Sequence, residues 1–259
     1  MTQNFSGRHA VVFGGSQGLG LASALKLAEG GANVTVISRS ATQERLVRQG
    51  LPSAQAQALS GELTQSDMNE LLSAAKDKFG PVDTLVLSGG GPKAGTFATL
   101  SDDDWTGAYH LLLLAPVRAI RAALPDMQAA GFGRIISVLS SGVKQPLPNL
   151  MLSNALRAAT LGMLQTLARE VAGQGITVNG VVPGRIDTDR VRSLDQGAAE
   201  RSQRTPEEVR AKSEASIPLG RYGRPAEFGA AVAFLATADA SYITGSLIEV
   251  DGGLINTLT

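Results

Sequence analysis

Short runs of apolar and β-branched residues alternate with longer amphipathic stretches along nearly the whole chain. The short runs are HAVVF (9–13), NVTVI (33–37), AQAL (56–59), TLVLS (84–88), RIISVLS (134–140), ITVNGVV (176–182) and SLIEV (246–250). Their length and residue types predict strands. Helical patterns fall between them: from Gly18, near Ser66 to Phe79, from Ser101 to Met127, and from about Leu150 to Ala172. A polar segment around Gln43 to Gln49 follows the second strand. Strand, helix and strand repeated in this way predict an α/β fold, a Rossmann-like doubly wound parallel sheet of about seven strands with helices on both faces.

No linker rich in Pro, Gly or Ser divides the chain and no internal repeat is present, so residues 1–259 are expected to form a single domain. The most polar stretch is DRVRSLDQGAAERSQRTPEEVR, which predicts exposed helices. It is either a solvated insertion or, over residues 189–214, a substrate lid.

Acidic and basic residues balance at 23 each, so no net field draws nucleic acid or an anionic membrane surface. The chain has no cysteine, which excludes disulfides and thiolate metal sites. Its two histidines, His9 and His110, are far apart in sequence, and no metal site is expected. MTQNFSGRHAVVF lacks the charged and apolar regions of a secretory signal, and LLLLAPV from Leu111 is too short to span a bilayer. A cytoplasmic protein acting on a small molecule is the expectation.

The first strand runs into FGGSQGLG, where Gly14, Gly18 and Gly20 have the spacing G-x-x-x-G-x-G. Glycine permits positive φ in a tight turn and lets backbone N–H groups and a helix N-terminus approach a pyrophosphate. Between a strand and a helix this pattern marks a dinucleotide site built from Gly14, Ser16, Gln17, Gly18, Leu19 and Gly20. An acidic residue at the end of the second strand would bond a ribose 2′-hydroxyl, whereas a basic one suits a 2′-phosphate. The chain has Ser38, Arg39 and Ser40 there, which favours NADP(H) over NAD(H).

With these features the chain resembles the short-chain dehydrogenase/reductase family, of the 3-oxoacyl-carrier-protein-reductase type. The resemblance spans nearly its full length: FGGSQGLG, Glu62-Leu63, Asp83-x-Leu85-Val86, SGGGP (88–92), GRIISVLSS, VNGVVPGRIDT (178–188) and SYITGSLIEVDGG (241–253). It implies that Glu62, Leu63, Ser88, Gly89, Gly90, Pro183, Gly184, Ile186 and Thr188 line the cofactor site. It also implies a homotetramer, assembled through the long helices after the fourth and fifth strands and the C-terminal segment.

The family's catalytic Asn, Ser, Tyr and Lys map onto Leu112, Ser140, Ser153 and Arg157. Only the serine is retained. Phe13 also stands where threonine is usual, and LSGG (87–90) where Asn-Asn-Ala-Gly is common. Serine is too weak an acid, and too short, to replace the tyrosine as proton donor. Arginine stays protonated and serves as an electrostatic partner. Ser153 and Arg157, four apart on one helix, share a face, and Ser140 ends a strand. Two hydroxyls and a guanidinium can thus surround a substrate oxygen.

The missing proton is expected from water or from Lys144. Tyr109 and His110 are lesser candidates. Pro116 lacks an N–H, so the Leu112 carbonyl loses its helical partner and either binds a water near Arg157 or merely shapes packing. The leading expectation is an NADP(H)-dependent oxidoreductase of a small carbonyl, alcohol or 3-oxoacyl compound. The alternatives are a non-redox lyase, isomerase or dehydratase on the same fold, or an inactive NADP(H)-binding regulator. The order Ser, Ser, Arg is also partly similar to halohydrin dehalogenases, but these keep the tyrosine and fill the glycine turn.

Overall fold

A computed structural model describes residues 4–257. In chain order the elements are β1 (His9–Phe13), α1 (Gly18–Glu29), β2 (Asn33–Ser38), α2 (Gln43–Arg48), β3 (Ala56–Ser60), α3 (Met68–Phe79), β4 (Thr84–Leu87), α4 (Asp102–Tyr109), α5 (Ala115–Ala130), β5 (Gly133–Val138), α6 (Met151–Val171), β6 (Ile176–Pro183), α7 (Asp189–Ser202), α8 (Pro206–Ala215), α9 (Pro225–Ala236) and β7 (Leu247–Val250). All seven strands are parallel, in the order β3-β2-β1-β4-β5-β6-β7. The expected doubly wound sheet is therefore present.

Strands β1, β4 and β5 are buried at every position, because helices cover both faces of a parallel sheet. Successive side chains go to opposite faces. Ala10, Val12, Val34, Val36, Val86 and Ile136 pack with residues of α1, α2 and α9, including Leu27, Leu46 and Phe228. Val11, Phe13, Ile37, Leu85 and Ile135 pack with Leu72 of α3, Ala123 of α5 and Leu164 of α6. Helices α1 and α9 touch so closely that a Cβ on Gly229 would lie 2.4 Å from the Ala22 carbonyl oxygen.

The long helix expected over 101–127 is divided. Ser101 and Asp104 form a capping box at the start of α4, and His110–Leu114 then make one π-helical turn before α5. Pro116 sits in the first turn of α5, where a missing N–H leaves the π-turn unclosed by an ordinary α bond. The polar segment after β2 is a short helix, α2, capped by the Thr42 hydroxyl. No periodic pattern in the sequence marks helix α9. It is apolar through most of its length, so no polar face sets off its period.

The chain crosses from β1 outward to β2 and β3, then returns to β4 on the other side of β1. The carboxyl ends of β1 and β4 accordingly diverge, and this switch point is where open α/β sheets bind ligands. Among the described residues no helix is long and apolar enough to cross a membrane.

Candidate active site

A cleft of about 1150 Å³ opens over the carboxyl ends of the strands. One end is built by the turn between β1 and α1. Gly14 has φ +67°, and a Cβ there would lie 1.9 Å from the Ser88 carbonyl oxygen. The turn can therefore fold against the end of β4 only as glycine. Gly18 has φ +55°, and a Cβ on it would have only the Thr188 methyl group within 4 Å. Gln17 occupies the N-cap of α1 but makes no side-chain cap, which leaves the first N–H groups of the helix available to an anion.

Beside the turn, the Ser38 hydroxyl donates to Ser16 Oγ at 2.8 Å, and Ser16 Oγ lies 3.1 Å from Ser40 Oγ. Arg39 is exposed next to these hydroxyls and has no ion-pair partner among the described residues. A cation and three hydroxyls gathered in this way suit a phosphate monoester. Glu62 and Leu63 flank the same end of the cleft. The Glu62 N–H donates to Ser66 Oγ at 2.9 Å, which fixes the loop after β3.

The other end is formed by β5, α6 and the loop before α7. Ser140 follows β5, and its Oγ accepts from the Gly142 N–H at 3.1 Å. Ser153 is 8% exposed on α6; its hydroxyl makes no hydrogen bond within the described residues, and the residue lines the cleft. One turn later Arg157 donates from Nη1 to the Val138 carbonyl at 2.6 Å and from Nη2 to the Gly90 carbonyl at 3.4 Å. Among the described residues it has no carboxylate partner. Burial, together with repulsion from Arg190, pushes its pKa down to about 10.

Of the residues expected from the sequence, Ser140, Ser153 and Arg157 line the cleft together with Gly14, Ser16, Gln17, Gly18, Leu19, Ser38, Arg39, Ser40, Glu62, Leu63, Ser88, Gly89, Gly90, Pro183, Gly184, Ile186 and Thr188. Gly20 does not line it. It is buried behind the turn, where a Cβ would sit 2.4 Å from the Gly14 carbonyl oxygen, so its part is close packing.

Three further expectations change. Lys144 is not on the cleft wall and its ammonium lies 3.5 Å from Glu249 on β7, which removes it as a proton donor. The Leu112 carbonyl accepts from Thr160 Oγ1 at 2.7 Å, so the bond lost to Pro116 is made within the protein. A cavity of about 20 Å³ beside it is lined by Leu112, Pro116, Arg157 and Thr160 among mostly apolar neighbours. Of the pair Tyr109 and His110, only His110 lines the cleft; the two rings pack edge to face at 5.4 Å.

Residues 189–214 fold as the helices α7 and α8, and α7 forms one wall of the cleft. Its position is fixed by Asp195, which is 5% exposed and receives bonds from Arg185 at 3.0 Å and the Tyr222 hydroxyl at 2.9 Å. Neither this triad nor Arg190 is among the residues expected from the sequence. The signal for Arg190 was available: Arg190, Leu194, Gly197 and Arg201 recur at helical spacing along one side of α7.

The fold, the glycine-lined switch point and the polar end of the cleft define a dinucleotide-binding α/β protein of the short-chain dehydrogenase/reductase class. The family model described as enoyl-(acyl carrier protein) reductase matches residues 14–255, and the chain belongs to that short-chain dehydrogenase/reductase family. It is 36% identical over 255 residues to the 3-oxoacyl-[acyl-carrier-protein] reductase of Vibrio cholerae serotype O1, covering 97% of this chain and 98% of that one. Among solved structures it is similar to L-sorbose reductase from Gluconobacter frateurii, complexed with NADPH and L-sorbose. That match has a TM-score of 0.91 and 28% identity, and covers 100% of both chains. It is also similar to a single-substitution variant of actinorhodin polyketide ketoreductase with NADPH, with a TM-score of 0.89 and 30% identity over 99% of this chain and 100% of that one.

Proposed function

We propose that the protein is an NADPH-dependent reductase of a small carbonyl or 3-oxoacyl compound whose site uses Ser140, Ser153 and Arg157. The observation that carries this reading is the presence, in one continuous cleft, of a glycine cradle with a phosphate-suited cluster at one end and these three donors at the other. The relatives named above are reductases, and two of the solved structures contain NADPH.

The residues present fit this cofactor. A Cβ at Gly18 or Gly90 would project into largely open cleft, so glycine leaves the room that a pyrophosphate needs. The bare N-terminus of α1 is suited to its charge. Arg39 and the hydroxyls of Ser16, Ser38 and Ser40 are suited to a 2′-phosphate. When bound, NADPH supplies two electrons and a hydrogen to the carbonyl carbon. The carbonyl oxygen then takes up the bond's electron pair and becomes an alkoxide.

Ser140 and Ser153 donate hydrogen bonds to that oxygen, and Arg157 stabilises its charge through the low-dielectric base of the cleft. Arg157 keeps its own proton because its charge is what the step requires. The proton that completes the alcohol comes from water entering the open cleft, with the His110 imidazole on the wall to relay it. Helices α7 and α8, over residues 189–214, act as the lid. Assembly as a cytoplasmic tetramer belongs to the same proposal, and light scattering tests the assembly.

The test is titration with NADPH and NADH separately, followed by a carbonyl screen in which NADPH absorbance is recorded. The reading requires tighter NADPH binding and consumption with at least one carbonyl, lost in S153A and R157M. NADPH binding with no consumption across ketones, aldehydes and 3-oxoacyl thioesters would move the assignment to non-redox chemistry or to a regulatory binder.

A further inference from the structure

The chain is neutral, yet its cleft is lined by five arginines (Arg39, Arg157, Arg185, Arg190 and Arg201) and by only two carboxylates, Glu62 and Asp189. Arg185 is paired with Asp195 at 3.0 Å, and Asp189 with Arg192 at 2.7 Å. Arg39 is assigned above to the cofactor. The remaining positive charge has no carboxylate partner among the described residues and is concentrated at the substrate end.

Two of these groups meet across one loop. Arg157 reaches the Gly90 carbonyl from α6, and Arg190 Nη2 donates to the Pro92 carbonyl at 3.3 Å from α7. The Arg190 guanidinium lies over Gly91, where a Cβ would come within 2.9 Å of it. Only a glycine leaves the arginine that place. The two guanidiniums repel one another, and their carbonyl partners do not cancel the charge. Like charges kept together inside a cleft are unfavourable unless a ligand supplies the opposite charge. Further along α7, Gly197 leaves room for Arg201, whose Nη1 would lie 3.3 Å from a Cβ there. The underside of α7 is thus cationic at both ends, with Leu194 and Gly197 between.

Resting on the reductase reading above, the geometry points to Arg190, opposite Arg157, as a subsite for an anionic oxygen group of the substrate, a carboxylate or a phosphate. Ser153 is one helical turn from Arg157, with Cβ atoms on the order of 5–6 Å apart. Arg157, beside the reacting oxygen, and Arg190 reach carbonyls only two residues apart on one loop, at Gly90 and Pro92, so an anion at Arg190 lies only a few bonds from the reacting carbonyl. The preferred substrates are short oxo acids or oxo phosphates, and their neutral counterparts are poor ones.

The test uses matched pairs with NADPH: acetoacetate against methyl acetoacetate, and dihydroxyacetone phosphate against dihydroxyacetone. The charged member of at least one pair should have the higher kcat/KM by about tenfold or more, and the pair that shows it identifies the anion. Arg190→Gln should abolish that preference by raising KM for the charged member, change kcat/KM for the neutral member far less, and alter the NADPH Kd by less than about threefold. Arg190→Lys, which keeps the charge, should recover part of the preference. Equal or better use of the neutral member in both pairs overturns the subsite while leaving the reductase reading intact. An equal loss of NADPH affinity in Arg190→Gln overturns it too, by giving Arg190 to the cofactor.

If no carbonyl is reduced at all, the reductase reading fails separately. Calorimetry of the NADP⁺-bound protein with acetoacetate and with dihydroxyacetone phosphate then decides. Binding that is lost in Arg190→Gln supports the subsite, and no binding of either overturns it.

Discussion

The two ends of β5 each hold an arginine, one fully buried and one partly buried at the cleft, and the two are treated differently. At the amino end Arg134 is 2% exposed. It donates to the carbonyls of Thr237 at 3.1 Å, Gly133 at 2.8 Å and Gly175 at 3.2 Å. Its guanidinium also stacks 4.0 Å from the centroid of the Phe132 ring, with Arg8 on the same ring. Burial and Arg8 lower its pKa, and the nearby Asp83 carboxylate acts in the opposite direction. At the carboxyl end Arg157 has two carbonyls, a second arginine as neighbour and no carboxylate. The first charge is answered by the protein; the second is left to be answered by a ligand. Polar groups that are satisfied within the fold serve stability, and those left short of partners mark the place where chemistry is done.

Replacing each arginine by methionine separates the two roles. For R157M the expectation is a fall in kcat/KM of roughly 100- to 1000-fold, the usual effect of removing one preorganised donor from a developing oxyanion. Its thermal midpoint should change little, because the loss of its bonds to the Val138 and Gly90 carbonyls is offset by removal of an unpaired charge. A marked loss of stability with unchanged turnover per folded molecule would make Arg157 a second structural arginine and dissolve the contrast.

R134M should do the reverse. It strips a donor from the Thr237, Gly133 and Gly175 carbonyls, of which the last keeps the Gly133 N–H, and should cost about 3 kcal/mol, a drop of roughly 6–12 °C in Tm for a chain of this size. Turnover of the folded fraction should be unaltered. Calorimetry and active-site titration on the same preparations read both quantities.

A smaller effect is expected at Arg39, the exposed residue proposed to hold a 2′-phosphate. R39A should weaken NADPH binding by roughly 10- to 100-fold and leave NADH binding unchanged, because only the charged bond to the 2′-phosphate is lost. Equal losses for both nucleotides would transfer Arg39 from the phosphate to the general electrostatics of the cleft.

Legibility in the sequence followed the same division. Strands β1, β4, β5 and β6 were plain because burial on both faces makes them short runs dominated by apolar and β-branched residues. The cofactor end was plain because steric necessity forces identity: nothing but glycine fits at Gly14 against the Ser88 carbonyl. Helix α9, whose exposed strip of Ala226, Ala230 and Phe234 is as apolar as its buried face, carried no periodic signal, and the single π-turn at His110–Leu114 is too short to leave one.

The substrate end was only partly legible. The shared face of Ser153 and Arg157 could be read from their spacing, whereas the approach of Arg190 to Arg157 joins α7 to α6 and depends on tertiary structure alone. Lys144 shows the converse. Its distance from Ser140 in sequence suggested the cleft, and a carboxylate on the neighbouring strand β7 holds it elsewhere.

The smallest effect is expected at Pro116. The Leu112 carbonyl that the proline deprives of a helical N–H lies instead 2.7 Å from Thr160 Oγ1, whose one proton it shares with the Leu156 carbonyl at 2.8 Å. The adjoining cavity of about 20 Å³ has room for one water by volume, but a buried water needs two to four polar partners and most of this wall is apolar. P116A restores an N–H where the carbonyl already has a donor, so kcat and its solvent isotope effect should change by less than about twofold. T160V removes that donor and leaves the carbonyl short of a partner. It should destabilise the protein by about 1–3 kcal/mol while P116A does not. If P116A instead lowered kcat and altered the isotope effect with Tm unchanged, a proton path would run through this carbonyl. The catalytic end of β5 would then extend down α5, and Arg157 would stabilise a relay as well as an alkoxide.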